Sequence, residues 1–299
     1  MSIRVSYGTA IELGLENADI EERPTTAYLM LSGDKCRGAC RFCPQSKGHV
    51  RWLSRVSWPE YDIEEVKEGL KNSDFSRICI QSPDIPGYET SLIELVDEIE
   101  EINKPISLSA PPLYRETLET LEQKVDRIGV GIDAATNSLR KEEKPAYEPM
   151  VFWDHLGNVI EIFGEQRATA HIIVGLGEDM GDIATAVARA TKAGAGVSLF
   201  PFKSKDKDVD IKFYRRAQLL TALITEGDDP KTALNLISED AEKALEMVDE
   251  KSIFQTQGCP GCNRPYYTTS PGNEHKNYPR ELENRELNKI RKDILGEDP

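Results

Sequence analysis

Long apolar runs are missing from this chain of 299 residues. None approaches the ~18 needed to cross a bilayer as a helix. The start, Met1-Ser-Ile-Arg-Val-Ser-Tyr7, lacks the apolar core of a secretory signal, so the expected location is the cytoplasm. Positive charge is also scarce: 37 Lys and Arg stand against 52 Asp and Glu, a net charge of −15. Such a field opposes phosphate backbones, which are bound mainly by basic residues that displace counterions, so nucleic acid is not an expected partner. Only four histidines occur, His49, His155, His171 and His275. They show neither triad nor metal spacing, and each reads as a structural residue. Six cysteines in a long chain expected in the cytoplasm argue against a disulfide framework.

What the sequence does hold is a dense cysteine loop, Cys36-Arg-Gly-Ala-Cys40-Arg-Phe-Cys43-Pro-Gln, immediately after a strand-like run, Thr26 to Leu31. The spacing C-x3-C-x2-C suits soft thiolates converging on iron. Three ligands on a four-iron cluster leave one iron open to substrate, as catalytic zinc keeps an open position. The plain alternative is a group of buried free thiols, since Cys packs as a small hydrophobe.

After the loop, strand and helix alternate. Strands are expected at 26–31, 77–81, 106–109, 127–133, 168–174 and 196–200, with helices at 57–72, 90–102, 114–124, 150–163, 183–192 and 213–225. Ser57 is the expected N-cap of the first of these helices, with Pro59 in its first turn. Six such units indicate a parallel sheet with crossovers. Two further strands for a closed eight-fold barrel are not found, so the expected fold is α/β, an open (β/α)6 partial TIM barrel with N- and C-terminal extensions. Chemistry is then expected at the C-terminal strand ends, where the cysteine loop lies. The expected division is 1–25 as an acidic lid or strap with a short helix near Thr9–Leu15, 26–232 as the barrel, and 233–299 as a distinct tail. That tail holds a helix over 238–248, a Pro-, Tyr- and Ser/Thr-rich loop and a last helix of mixed charge.

The cysteine loop, with Phe42 before its last cysteine, resembles the signature of the radical S-adenosylmethionine (SAM) enzymes. The resemblance covers roughly residues 26–225. It implies a [4Fe–4S] cluster on Cys36, Cys40 and Cys43, whose open iron binds SAM. An electron then cleaves SAM to methionine and a 5′-deoxyadenosyl radical, which abstracts hydrogen from an unactivated carbon; ferredoxin or flavodoxin is the implied donor. Asp133, taken alone a capping or turn aspartate, matches the position that holds the SAM ribose. Ile172-Ile173-Val-Gly175-Leu-Gly177-Glu178 is similar to the fifth-strand motif that packs on the adenine. Ile173, Gly175 and Glu178 match, and His171 replaces its first glycine. The Gly-Gly-Glu expected after the second strand is absent, replaced by Gln81-Ser-Pro-Asp84.

Cys43-Pro44-Gln45 is similar to biotin synthase, which places an auxiliary-cluster cysteine at the position of Cys79. Alone, Cys79 between two isoleucines reads more readily as core than as a ligand, and the resemblance is what makes a ligand role as good a reading. The third and fifth strands lack the cysteines that biotin synthase needs, so a cluster of that design is not expected. The late pair Cys259-Pro-Gly-Cys262 can be a metal knuckle or a redox dithiol. A zinc ribbon would need a second pair, and His275 is the nearest extra ligand. The preferred reading is an auxiliary iron–sulfur cluster on Cys79, Cys259 and Cys262, with Ser270 a candidate fourth ligand.

The loop, Cys79 and the late Cys-Pro-x-Cys-Asn-Arg-Pro-Tyr-Tyr together resemble the archaeal-type, two-component lipoyl synthases. That resemblance implies insertion of sulfur from the auxiliary cluster into a protein-bound octanoyl chain. Its implied partners are an octanoylated carrier such as the glycine cleavage H protein and a second radical SAM subunit. Lys276, Arg280, Arg285, Lys289, Arg291 and Lys292 form the expected basic docking patch. Tyr266 and Tyr267 either line a substrate channel or pack the tail onto the barrel, and packing is the preferred reading. The alternatives are another biotin-synthase-like enzyme of cofactor synthesis, methylation or rearrangement, or a non-catalytic iron–sulfur or zinc scaffold.

Overall fold

A computed structural model describes residues 1–204, 207–267 and 274–296. The six expected runs form parallel strands: β2 (Thr26–Leu31), β6 (Arg77–Gln81), β7 (Ile106–Ser109), β8 (Arg127–Asp133), β9 (Ala168–Val174) and β10 (Gly196–Pro201). They lie in chain order across one open sheet, paired in parallel from β2 to β10. The helices between them are amphipathic and cover one face. In α3 (Tyr88–Glu100), Leu92, Leu95, Val96 and Ile99 are buried at 3–4 spacing. In α6 (Val151–Phe163), Phe152, Leu156, Val159 and Phe163 do the same.

The strand faces divide by chemistry. Ala27, Leu29, Ile78, Ile80, Leu108, Val130, Ile132, Ala170 and Ile172 join the main apolar core. The alternate positions, among them Tyr28, Cys79, Ser107, Gly129 and His171, turn to the concave side and line a cavity there. A period of two separates the two sets.

The first 25 residues differ from the expected lid. β1 (Ser2–Val5) pairs antiparallel with β2 and with β5 (Glu60–Asp62), adding two strands to the sheet. Only α1 (Tyr7–Glu12) falls where the short helix was expected, N-capped by Ser6. The helix expected over 57–72 also starts later, as α2 (Ile63–Lys71), with Asp62 and Glu65 forming a capping box. Ser57 instead ends a small hairpin, β3 (Trp52–Leu53) with β4 (Val56–Ser57). The reason is Trp58, fully buried against Tyr28 and Tyr267, which holds the chain extended through β5.

The remaining connections are α4 (Arg115–Leu121), α5 (Asn137–Glu143), α7 (Met180–Lys192) and α8 (Ile211–Glu226). The tail begins with α9 (Pro230–Glu239), which runs across residues 232 and 233, followed by α10 (Ala241–Glu246) and α11 (Glu250–Ile253). The single helix expected over 238–248 is broken at Asp240, whose side chain caps α10. The last helix is α12 (Asn284–Leu295).

The free edge of β10 is sealed by side chains. The Leu199 carbonyl accepts from Tyr214 Oη and Asn277 Nδ2, each at 3.0 Å. Arg215, fully buried, donates to the carbonyls of His275 and Lys276, both at 2.6 Å, tying the tail to α8. No helix among the described residues is long and apolar enough to cross a membrane.

Candidate active site

A cavity of about 350 Å3 opens on the concave side of the six parallel strands. All six cysteines of the chain line it, together with Phe42, Asp133 and Ile173. Its walls otherwise carry apolar groups such as Met30, Leu53, Leu108, Phe152 and Phe200.

The first three cysteines reach the cavity because their loop leaves the end of β2 and turns sharply at Ala39, φ +51°. Cys36 Sγ accepts from the backbone N–H of Gly38 at 3.4 Å and of Asp84 at 3.2 Å. Such donors suit a thiolate. Asp84 stands where the Gly-Gly-Glu was expected. Its carboxylate also takes Arg37 at 2.6 Å and the Tyr147 hydroxyl at 2.6 Å, so the loop after β6 clasps the cysteine loop. Burial pushes the Cys40 thiol up to about 12 and that of Cys43 up to about 11; Cys36 adds to both, and Cys43 adds to the rise at Cys40. Lys144 opposes the rise at Cys40. Without a bound cation these thiols keep their protons; a metal is what displaces them.

Asp133 ends β8 at a register break with φ +57°. Its carboxylate is paired with Lys144 at 2.8 Å. Lys144 also donates to the Gly131 carbonyl at 2.9 Å and lies 3.3 Å over the Phe152 ring. Lys144 was not anticipated, since a lone Lys after a helix carries no local signal.

The fifth-strand motif divides. Ile173 lines the cavity and Gly175 does not. Gly175 has φ +112°, and a Cβ there would lie 2.7 Å from Val209 Cβ, so glycine is needed for the turn and the close approach. Glu178 is buried and accepts from the N–H groups of Gly175 and of Gly177. It closes the same turn.

The second cysteine set is assembled from distant parts. Cys79 Sγ accepts from Gln81 Nε2 at 3.0 Å, Cys259 Sγ from Ser107 Oγ at 3.2 Å, and Cys262 Sγ lies 3.3 Å from Tyr28 Oη. Burial raises the Cys79 and Cys259 thiols; Cys259 and Cys262 add to the rise at Cys79, and Cys262 adds to it at Cys259. Arg264, stacked 4.4 Å from the Phe200 centroid, counters both. The turn is held from outside: Thr25 Oγ1 donates to the Gly261 carbonyl at 2.5 Å, and Asn263 Nδ2 to the Arg23 carbonyl at 2.8 Å. Tyr267 packs on Tyr28, centroids 4.7 Å apart, and the Tyr266 hydroxyl accepts from the Glu22 N–H. Both tyrosines thus pack the tail, and Tyr267 also lines the cavity.

Among the described residues, no three His, Cys, Asp or Glu side chains stand close enough to share one metal ion. This weighs against a mononuclear zinc knuckle. The thiolates on a [4Fe–4S] cluster each bind a different iron and stand further apart than ligands that share one ion, so two sets of three half-buried thiols on one cavity fit such clusters. Ser270 lies outside the described residues. His171 lines the cavity above Gly129, edge-on to Phe200, and burial, with Arg264, holds it down to about 3, a neutral imidazole. His155 is buried in α6, while His49 is exposed and His275 sits beside Tyr278.

The expected basic patch is largely neutralised. Arg280 pairs with Glu22 and Glu286, Arg285 with Glu283, Lys289 with Glu274, Arg291 with Glu250 and Lys276 with Asp208. Acidic residues interleaved in the tail, and others brought by the fold, cancel the charge that the linear sequence displays.

The sequence profile of the Radical SAM superfamily matches residues 30–190, spanning the cysteine loop and the strands through β9. No curated protein matches the sequence. Among solved structures, methylornithine synthase (PylB) is similar with a TM-score of 0.54 and 15% identity, over 91% of this chain and 82% of that one. TYW1 with a lysine-pyruvate adduct bound has a TM-score of 0.46 and 12% identity, over 75% and 82%. The likeness to methylornithine synthase is one of fold, a mostly parallel α/β sheet in a partial barrel.

Proposed function

Because this chain belongs to the radical SAM superfamily, we propose that it is a sulfur-inserting member, acting on an octanoyl chain carried by a protein, as a lipoyl synthase subunit does. The observation that carries the reading is the placing of all six cysteines on one cavity, with Cys79 beside the late pair. An enzyme that methylates or rearranges needs only the first three.

In this reading Cys36, Cys40 and Cys43 hold the SAM-binding [4Fe–4S] cluster, with Phe42, Asp133 and Ile173 flanking SAM. Cys79, Cys259 and Cys262 hold an auxiliary cluster. When bound, SAM and the clusters supply the hydrogen-abstracting radical and the sulfur. The protein's own part is to position and insulate. Lys144 and Arg264 each place one cation beside one thiolate set, offsetting negative charge that burial penalises. The Asp133–Lys144 pair orients the carboxylate at the end of β8. Neutral His171 adds no charge to the cavity wall. Phe200, Leu108 and Phe152 give an apolar wall that excludes water and accepts an aliphatic chain. A carrier such as the glycine cleavage H protein, a second radical SAM subunit and a ferredoxin or flavodoxin donor complete the proposal.

The test is the double substitution Cys259→Ala with Cys262→Ala in anaerobically reconstituted protein. Iron should fall from about eight to about four per chain, the count for two cubanes against one. SAM cleavage should persist while no carbon–sulfur bond forms on an octanoyl peptide. Auxiliary sulfide labelled with heavy sulfur should appear in the product of the unaltered protein. An unlabelled product, or sulfur insertion by the double variant, overturns the reading.

A further inference from the structure

The hairpin β3–β4 presents a cation at the cavity rim that the chemistry above does not use. Its two-residue turn is Ser54-Arg55, with Ser54 at φ +55°, and both residues line the cavity. The half-buried Arg55 guanidinium makes two long contacts, to the carbonyls of Tyr267 at 3.3 Å and Pro201 at 3.4 Å. It makes no ion pair among the described residues. The nearest candidate is Asp208, which pairs with Lys203 at 3.6 Å and with Lys276 and acts on Arg55 only at a distance. Lys203 also lines the cavity. Burial holds Arg55 below the usual arginine range, so the site carries a desolvation cost with no carboxylate in contact. A planar fork of donors beside a lysine, at the mouth of an apolar cavity, matches a carboxylate. The excess is local, in a protein whose net charge is −15.

We propose that Arg55 and Lys203 form a carboxylate-binding site at the cavity rim, which receives an acidic side chain flanking the acylated lysine of the carrier. This rests on the acyl-carrier reading above and names what that reading leaves open, how the carrier is recognised. The carbonyl contact ties the guanidinium to Tyr267, the residue whose ring packs on Tyr28, and the Tyr28 hydroxyl meets Cys262. A chain entering past Arg55 therefore enters on the side of the second cysteine set. The acyl group is neutral as a lysine amide, so the anion has to come from a neighbouring residue.

Binding without turnover tests this. Fluorescent peptides bearing one octanoyl-lysine, flanked by Asp or by Ala, are titrated into the reconstituted protein with SAM and no reductant, and anisotropy is read. The Asp peptide should bind roughly tenfold more tightly, the usual scale for one charge-assisted hydrogen-bonded contact. Arg55→Ala and, independently, the exposed-site change Lys203→Glu should each erase most of that preference while leaving the Ala peptide unaffected. Arg55→Lys should retain part of it, and added salt should narrow it. Equal binding of the two peptides to the unaltered protein overturns the inference and leaves sulfur insertion standing. Binding of neither peptide overturns the carrier reading and the inference together. Free octanoate binding as tightly as the Asp peptide, and lost in Arg55→Ala, assigns the site to a free fatty acid and rules out the carrier as the source.

Discussion

Replacing Lys144 by Met leaves Asp133 without its partner inside the cavity wall. The pair is 2.8 Å apart, with the lysine side chain 5% exposed and the aspartate 16%. Removing one member of such a buried pair costs about 3–5 kcal/mol, because the remaining charge is desolvated and uncompensated. The low end applies here, since Asp133 keeps part of its side chain exposed. Met preserves most of the stem packing, so the loss is chiefly that of the ammonium, including its place over Phe152. At about 2 °C per kcal/mol for a chain of this size, Lys144→Met should lower Tm by about 6 °C. Asp133→Asn alone should cost a similar amount by stranding Lys144. The double variant strands neither, so it should fall short of the summed single costs by about 2 kcal/mol or more. Urea unfolding of metal-free protein under reducing conditions, followed by circular dichroism, measures all three. Additivity within about 0.5 kcal/mol would show that the two side chains do not act as a pair.

Two further outcomes are expected. Cys40→Ala should abolish formation of 5′-deoxyadenosine while about four irons remain on the second set; continued SAM cleavage would remove Cys40 from the SAM-binding centre. His155, buried in α6, is held down to about 4 by burial. The unfolded chain, with an ordinary imidazole near 6.5, therefore takes up a proton first as pH falls, so stability is full above ~6.5 and declines from there towards ~4, by up to about 3 kcal/mol. His155→Gln should flatten the stability–pH curve of metal-free protein in that window, and an unchanged slope refutes the assignment.

The sequence determined what depends on neighbours along the chain. The six parallel strands were legible because each is a short apolar run between amphipathic helices, and their order follows the chain. The first cysteine set was legible because three ligands in one loop need no distant partner. The strands carry a further signal: Tyr28-x-Met30, Cys79-x-Gln81, Ser107-x-Ser109 and Gly129-x-Gly131-x-Asp133 put the residues of the cavity at alternate positions of otherwise apolar strands. Tertiary structure alone decided the rest. β1 and β5 are three or four residues long, and a strand of that length exists only where a partner edge pairs with it. The meeting of Cys79 with Cys259 and Cys262 depends on the tail's return, held by Arg215 at one end and by Thr25 and Arg23 at the other. The basic tail lost its patch because Glu22 and Glu250 reach it across the fold. Arg55 became notable because Asp208, the carboxylate that acts on it from a distance, pairs instead with Lys203 and Lys276. Charge and ligand geometry are sums over neighbours in space, and closing a long loop selects those neighbours without leaving a pattern along the chain.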